Sequence, residues 1–271
     1  SFTIGDTYLF SGTSINSARI SINRIGMFHG GPHFFGPKDV GINAFSYIPD
    51  ALNLTVTGGP TFGTAVGTDT WLHPTNATIN DDYSWIKGKH QFAFGASLSR
   101  GIIVHLANVR AIGNYAVNGQ TTGLGMSDFL TGKLSQLRQS TPNNLLVDQW
   151  FFGAYAQDTW KFTRKFTLDY GLRWDYQGPL GELWDRQSTF SPTTPNPNAG
   201  GLLGATIYAG KGTGRCNCEL VPSYKKAFAP RLGGAYQLNS KTVLRAGWGF
   251  VYGPLSPTAV APSTASMGFN V

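Results

Sequence analysis

The chain has 271 residues, of which 41% are hydrophobic, 13% aromatic and only 13% charged, with 35 glycines and a formal net charge of +7. No apolar run approaches the roughly 18 residues of a helical membrane span, and the lysines and arginines neither cluster nor form a nucleic-acid motif. Helical membrane proteins and nucleic-acid binders are thereby set aside, whereas a barrel, whose strands are apolar on one side only, is not.

In chain order, "FTIGDTYLF" and "INSARISINRI" read as a hairpin within about 1-25, turning near Ser11 to Ser14, with Ala18, Ile20 and Ile22 on one face. The second hairpin, about 77-101, contains "YSWIKGKHQFAFGASLSR". Its apolar set is odd before the turn (Ile79, Tyr83, Trp85) and even after it (Phe92, Phe94, Ala96, Leu98). Opposed residues must share a face, which requires a two-residue turn at Gly88-Lys89, and a leading glycine suits type II′.

The third hairpin, about 148-177, places Trp150, Phe152, Ala154, Ala156 and Trp160 on one face, with Asp158 as the one exception. Phe162 then opposes Phe166 across a three-residue loop, Thr163 to Lys165. "KFTLDYGLRWDY" continues the alternation, with Phe166, Leu168, Tyr170, Leu172, Trp174 and Tyr176 facing away from Asp169, Gly171, Arg173 and Asp175. In the fourth hairpin, about 227-253, Leu232 and Tyr236 align with Leu244, Ala246, Trp248, Phe250 and Tyr252, and Leu238 opposes Thr242 across Asn239, Ser240 and Lys241.

A period of two over twelve residues excludes helix, and soluble strands usually stop at about 5 to 6 residues. From Phe166 to Tyr176 the chain spans roughly 33 Å at about 3.3 Å per residue. Tilted, it projects to about 25 Å, the height of the lipid-facing band of an outer-membrane barrel. The fold expected is all-β, an antiparallel transmembrane β-barrel. Trp150, Trp160, Phe166, Trp174, Tyr176, Trp248 and Tyr252 are then candidates for a lipid-facing girdle. Asp169, Arg173, Asp175, Arg231 and Arg245, with Gly171, Gly233, Gly247 and Gly249, are candidates for the lumen. The alternative for the charged side is the solvent face of a soluble sheet.

Short turns near 12, 88, 164 and 240 alternate with long connections at 26–76, 102–147 and 178–226, rich in Gly, Pro, Asn, Ser and Thr. Short periplasmic turns and long extracellular loops describe a barrel. A sandwich shows turns every 8 to 12 residues or so without that asymmetry. The positive excess fits solvated loop and lumen surface, and also anionic headgroups or an anionic solute.

No catalytic, cofactor or metal set emerges. His29 and His33 lie in a Gly-Pro loop without a third ligand, Asp81 and Asp82 point to opposite faces, and Ser97 and Ser99 lack a nucleophile elbow. "GKGTG" at 210–214 lacks the end of a phosphate loop. Cys216 and Cys218 are too close for a relaxed bridge and read as loop thiols, with a loop disulfide as the alternative. Phe34, Phe35, Trp71 and Tyr115 are loop aromatics able to stack on sugars or peptides.

"YSWIKGKHQFAFGASLSR", "SDFLTGKLSQ", "GAYAQDTWKFTRKFTLDYGLRWDYQGP" and "AFAPRLGGAYQLNSKTVLRAGWGFVYGP", with the opening "GDTYLFSGTSINSARISINRIG", extend over most of the chain. Together they resemble the barrel of TonB-dependent outer-membrane receptors, in particular the Oar-like subgroup. Asp158-Thr159 departs from the two acidic residues common there. The resemblance implies a barrel of about 22 strands, of which eight are counted here, in the bacterial outer membrane. It implies partners in lipid, a plug domain, the TonB energy-coupling complex and an unidentified solute bound at the outer loops. The plug and TonB box are absent from this stretch and are expected elsewhere in a longer chain. No enzyme activity, cofactor or nucleic acid is implied. The alternatives are a passive porin or adhesin barrel and, more distantly, a secreted β-sandwich binder.

Overall fold

The computed structural model describes residues 1–64, 69–108, 110–221 and 223–253. The proline-containing end beyond them lies outside the described residues. In chain order, β1 (Phe2–Ser11) and β2 (Ser14–Arg24) precede the short β3 (Met27–His29), β4 (Asn53–Val56) and β5 (Thr61–Gly63). Then come the long β6 (Thr70–Lys87) and β7 (His90–Ala107), followed by β8 (Asn114–Val117), α1 (Gly125–Leu130) and β9 (Gln136–Arg138). The long β10 (Asn143–Trp160) and β11 (Phe166–Gln177) lead to β12 (Gly181–Glu182), β13 (Ser188–Pro195) and β14 (Leu203–Tyr208). Last are β15 (Tyr224–Asn239) and β16 (Thr242–Gly249).

The eight long strands form one ladder, β1-β2-β6-β7-β10-β11-β15-β16. Their greater part lies in the first of two compact units, whose described residues are Ser1–Arg24, Thr75–Ile102 and Val147 to Gly253. Register fixes the faces. On one side Ile20 opposes Ile79, Ala156 opposes Leu172, Ala154 opposes Trp174, Leu232 opposes both Tyr170 and Trp248, and Phe166 opposes Tyr236. Among the described residues no second layer covers this side: Leu172 is 46% exposed, Leu244 57% and Trp248 61%. A sandwich would cover such residues with a second sheet.

The turns carry the register. Gly88 has φ +61 and Lys89 does not go positive, as type II′ requires at Gly88-Lys89. Thr163 N–H donates to Phe166 O at 3.0 Å, and the pairing of Trp160 with Leu168 aligns Phe162 with Phe166 as read. At the last turn the structure differs: Asn239 pairs with Thr242, with an irregularity after Gln237. The turn is Ser240-Lys241, and a bulge at Leu238 absorbs the extra residue so that the faces of Leu232 and Tyr236 are kept. Pro230 sits inside β15, with its carbonyl accepting from Phe250 N at 3.0 Å. Its missing N–H points the same way, towards Phe250, so this pair keeps one of its two bonds and the regular pairing of β16 ends beside it.

The long connections are not featureless. The second unit, Ile25–Pro74 with Ile103–Leu146, contains a four-stranded sheet, β5-β4-β8-β9, in which β4 and β8 are parallel. Leu52, Val56, Ile112, Tyr115 and Val117 form its core. Asp128 on α1 is fully buried and accepts from the backbone N–H of Thr121 and Thr122 at 2.9 and 2.8 Å. The Thr121 N–H first, and then the hydroxyl and N–H of Thr122, hold its carboxyl below the usual range. In the first unit β13 and β14 pair as a hairpin. After it Cys216 and Cys218 are disulfide-bonded with Cα atoms 5.1 Å apart, against the expectation of loop thiols. Asn217, at φ +53, turns the backbone enough to bring the two Cα atoms into bridging range.

His33 bridges two carboxylates of the second unit, Nδ1 to Asp50 at 3.0 Å and Nε2 to Asp69 at 3.0 Å. Hydrogen bonds donated to Asp50 and then to Asp69 raise the imidazole above its ordinary value, and the bond accepted from His33 lowers Asp50. A raised histidine stabilises the fold fully below the free value of about 6.5 and loses that contribution as pH rises through the folded value. Asp50 works oppositely, its contribution vanishing as pH falls through its lowered value. Backbone hydrogen exchange near Asp69, corrected for intrinsic rates, is therefore expected to be faster at about pH 8.5 than at about pH 6. His33→Gln should remove that difference.

Candidate functional site

The charged face is assembled across strands by alternation. Asp169, Arg173 and Asp175 lie on one side of β11, Arg231 opposes Gly171, and Arg245 opposes Ala235, itself opposite Thr167. All five lumen candidates therefore share a face. Asp82 and Asp81 separate as expected: Asp82 accepts from Tyr155 Oη at 2.7 Å on this face, and Asp81 from Asn16 Nδ2 at 2.5 Å on the other.

Glycine makes these contacts fit. A Cβ on Gly95 would collide with the Tyr155 ring and Asp82 Oδ1, so the phenol reaches Asp82 only across a bare backbone. A Cβ on Gly153 would collide with the Arg173 guanidinium and sit 2.9 Å from Ser97 Oγ. Arg173 lies flat there, donating Nε to both Asp175 oxygens at 2.8 and 3.0 Å. Further down, Thr159 Oγ1 donates to Asp169 at 2.6 Å.

At the end of this face nearer the long connections is a recess of about 820 Å³, within the usual size of a small-molecule site. Its polar lining comes from Asn76, Ser97, Ser99, Arg173, Asp175 and Gln177. Tyr224, which pairs with Gln177, and Tyr252 also line it, their rings 6.3 Å apart. Two girdle candidates, Tyr176 and Tyr252, also border the recess; Tyr252 lies beyond the end of β16, where alternation no longer assigns a face. Parity alone did not reveal Tyr224, Ser97 and Ser99 as lining residues, because strands distant in sequence bring them together.

By register the girdle candidates within the strands share the apolar face. Trp174 contacts Phe152 at 5.7 Å and stacks near Tyr176 and Phe228 at 6.3 Å, while Arg100 lies over Trp150 at 5.2 Å. Trp160, Phe162 and Phe166 form a second cluster towards the short turns, and Trp248 packs on Phe250. Of the expected loop aromatics, Phe34 is exposed and Trp71, which lies on β6, packs against Phe28 with ring centres 4.5 Å apart, but Tyr115 is 2% exposed and belongs to the core. Tyr115 is therefore no stacking surface. Among the described residues no group of three His, Cys, Asp or Glu is placed to hold a metal ion.

Asp158, the polar exception within the apolar set of β10, has its partners on the flanking strands. His90 Nδ1 is 2.7 Å from Oδ2, and Tyr170 Oη donates to the same oxygen at 2.8 Å. The His90 ring is held between Phe92 at 5.5 Å and Trp160 at 5.1 Å.

Residues 1–271 match the family described as outer membrane beta barrel domain. The chain belongs to that family. It is an outer-membrane β-barrel protein of bacteria, and the eight-strand ladder with its uncovered apolar face is a stretch of that barrel's wall. No curated protein matches the chain.

The Asp158 cluster generates a prediction. His90→Ala strands a carboxylate that is 4% exposed and should cost roughly 2 kcal/mol, below the 3 to 5 of fully buried pairs because His90 is one-third exposed. The double variant His90→Phe with Asp158→Leu should recover most of that loss. Reversible unfolding in lipid vesicles measures both.

Proposed function

We propose that this barrel is part of a TonB-dependent receptor, taking up a solute that binds at its outer loops, with passage driven by an inner-membrane energy-coupling complex. It performs no catalysis; its partners are membrane lipid, a plug and the solute. The observation carrying this reading is the asymmetry of the connections. Short turns close one end, while the connections at the other contain folded structure, including a core around Leu52 and Ile112 and the hairpin β13-β14. Structured loops held by a rigid wall are suited to recognition. In this reading the apolar face meets lipid, the charged face lines the lumen, and the turns at Gly12, Gly88, Arg164 and Ser240 face the periplasm. Two aromatic clusters on the apolar face, separated by small and aliphatic residues such as Ala154, Ala156, Leu168 and Leu172, match two interfacial girdles.

The energy-coupled reading is tested by conductance of the full-length natural protein in planar bilayers. A plugged receptor gives no steady current; a steady open conductance would instead identify a passive porin.

Orientation is tested separately. Leu172→Arg should cost roughly 2 to 4 kcal/mol in lipid, and Gln157→Arg, on the charged face, about 1 or less. Gly171 is not a usable control, because a Cβ there would lie 2.7 Å from Gln157 Cβ and 2.8 Å from Ala156 O. After mild reduction, Cys216 and Cys218 should react with an impermeant thiol reagent on intact cells. Reaction only after the outer membrane is broken would invert the topology.

A further inference from the structure

On the charged face Arg231 has glycine on both flanks, Gly171 across on β11 and Gly249 across on β16. Arg173 is two residues along from Gly171, which makes it the diagonal neighbour of Arg231, within reach of a long side chain. Arg173 commits Nε to Asp175, and its terminal nitrogens lie over Gly153. Arg231 has no carboxylate within ion-pair distance among the described residues. A second recess, of about 460 Å³, is lined by both arginines and shares Arg173, Asp175 and Tyr252 with the larger one.

We propose that these two adjoining recesses form a carboxylate subsite, in which Arg173 and Arg231 hold the carboxylate of a solute whose body lies in the larger recess beside Phe151, Tyr224 and Tyr252. Two arginines less one aspartate leave a single positive charge, matching one carboxylate; a dianion such as phosphate would meet Asp175. Guanidinium donors pair with a planar carboxylate in a fork, and no described carboxylate competes for Arg231. Aromatic rings with amide and hydroxyl groups at their edges suit a body that is apolar on one side and hydroxylated or amidic on the other. A uronic-acid sugar and the C-terminus of a short peptide both present this chemistry.

The subsite rests on the reading that the charged face lines the lumen, and its failure is separable from that of the transport mechanism. A steady bilayer conductance would overturn energy-coupled uptake while leaving a carboxylate preference intact; loss of the preference does the reverse. The experiment is calorimetric titration of the full-length natural protein in detergent micelles with digalacturonate and with an uncharged-side-chain tripeptide. Each is compared with its methyl ester, and inorganic phosphate is titrated alongside. In at least one series the acid should bind about tenfold or more tightly than its ester, and phosphate no better than the ester. The series that shows the preference identifies the source of the carboxylate. Arg231→Met should reduce the acid's affinity about tenfold and leave the ester's unchanged. Arg245→Met, on the same face but outside both recesses, should alter neither and controls for folding. Equal binding of acid and ester in both series, no binding in either, or an unaffected Arg231→Met variant would overturn the proposal.

Discussion

Hydrocarbon offers no hydrogen bonds to a peptide group, so a chain crossing a bilayer as strands must pair its backbone within a sheet and sort its side chains by the alternation of the strand. The structure follows from that constraint. It accounts for the length of β10 and β11, for Leu172, Leu244 and Trp248 being left uncovered, and for the placement of Asp169, Arg173, Asp175, Arg231 and Arg245 together on the other side. Pro230, which cannot donate, sits opposite Phe250, one residue beyond the end of β16, where a single missing bond falls at the end of the ladder.

The departures from alternation are where chemistry concentrates. Asp158 stands among aromatics within the apolar set of β10, and its charge is tolerable because His90 and Tyr170 converge on one of its oxygens and Trp160 packs against His90. On the charged face, Gly95 and Gly153 give up side chains so that Tyr155 and Arg173 can lie across the neighbouring strand. Both devices link three adjacent strands. They stiffen the wall without adding to the backbone ladder.

The wall was legible in the sequence because a period of two over ten or more residues is a strong signal, and turn chemistry such as Gly88-Lys89 fixes register locally. The bulge at Leu238 was not legible, since a two-residue turn with a bulge and a three-residue turn put the same residues on the same faces. The folded connections were missed for a different reason. Their strands are three or four residues long, too short for periodicity, and the parallel pairing of β4 with β8 joins residues far apart in sequence. The recess was half visible: alternation picked out Arg173, Asp175 and Arg231, whereas Ser97, Tyr224 and Tyr252 join them only through the sheet. The disulfide depends on a left-handed Asn217 that spacing does not disclose.

The central claim is that the two faces of the wall meet different solvents. The direct measurement is spin-label accessibility, one label at a time at positions 166 to 176 of the full-length natural protein in bilayers, to oxygen dissolved in lipid and to a water-soluble nickel chelate. The account predicts an alternation of period two, with labels at Leu168, Tyr170, Leu172 and Trp174 open to oxygen and those at Thr167, Asp169 and Arg173 closed to it. Oxygen accessibility without that period, or chelate reaching Leu172 as readily as Arg173, would contradict it.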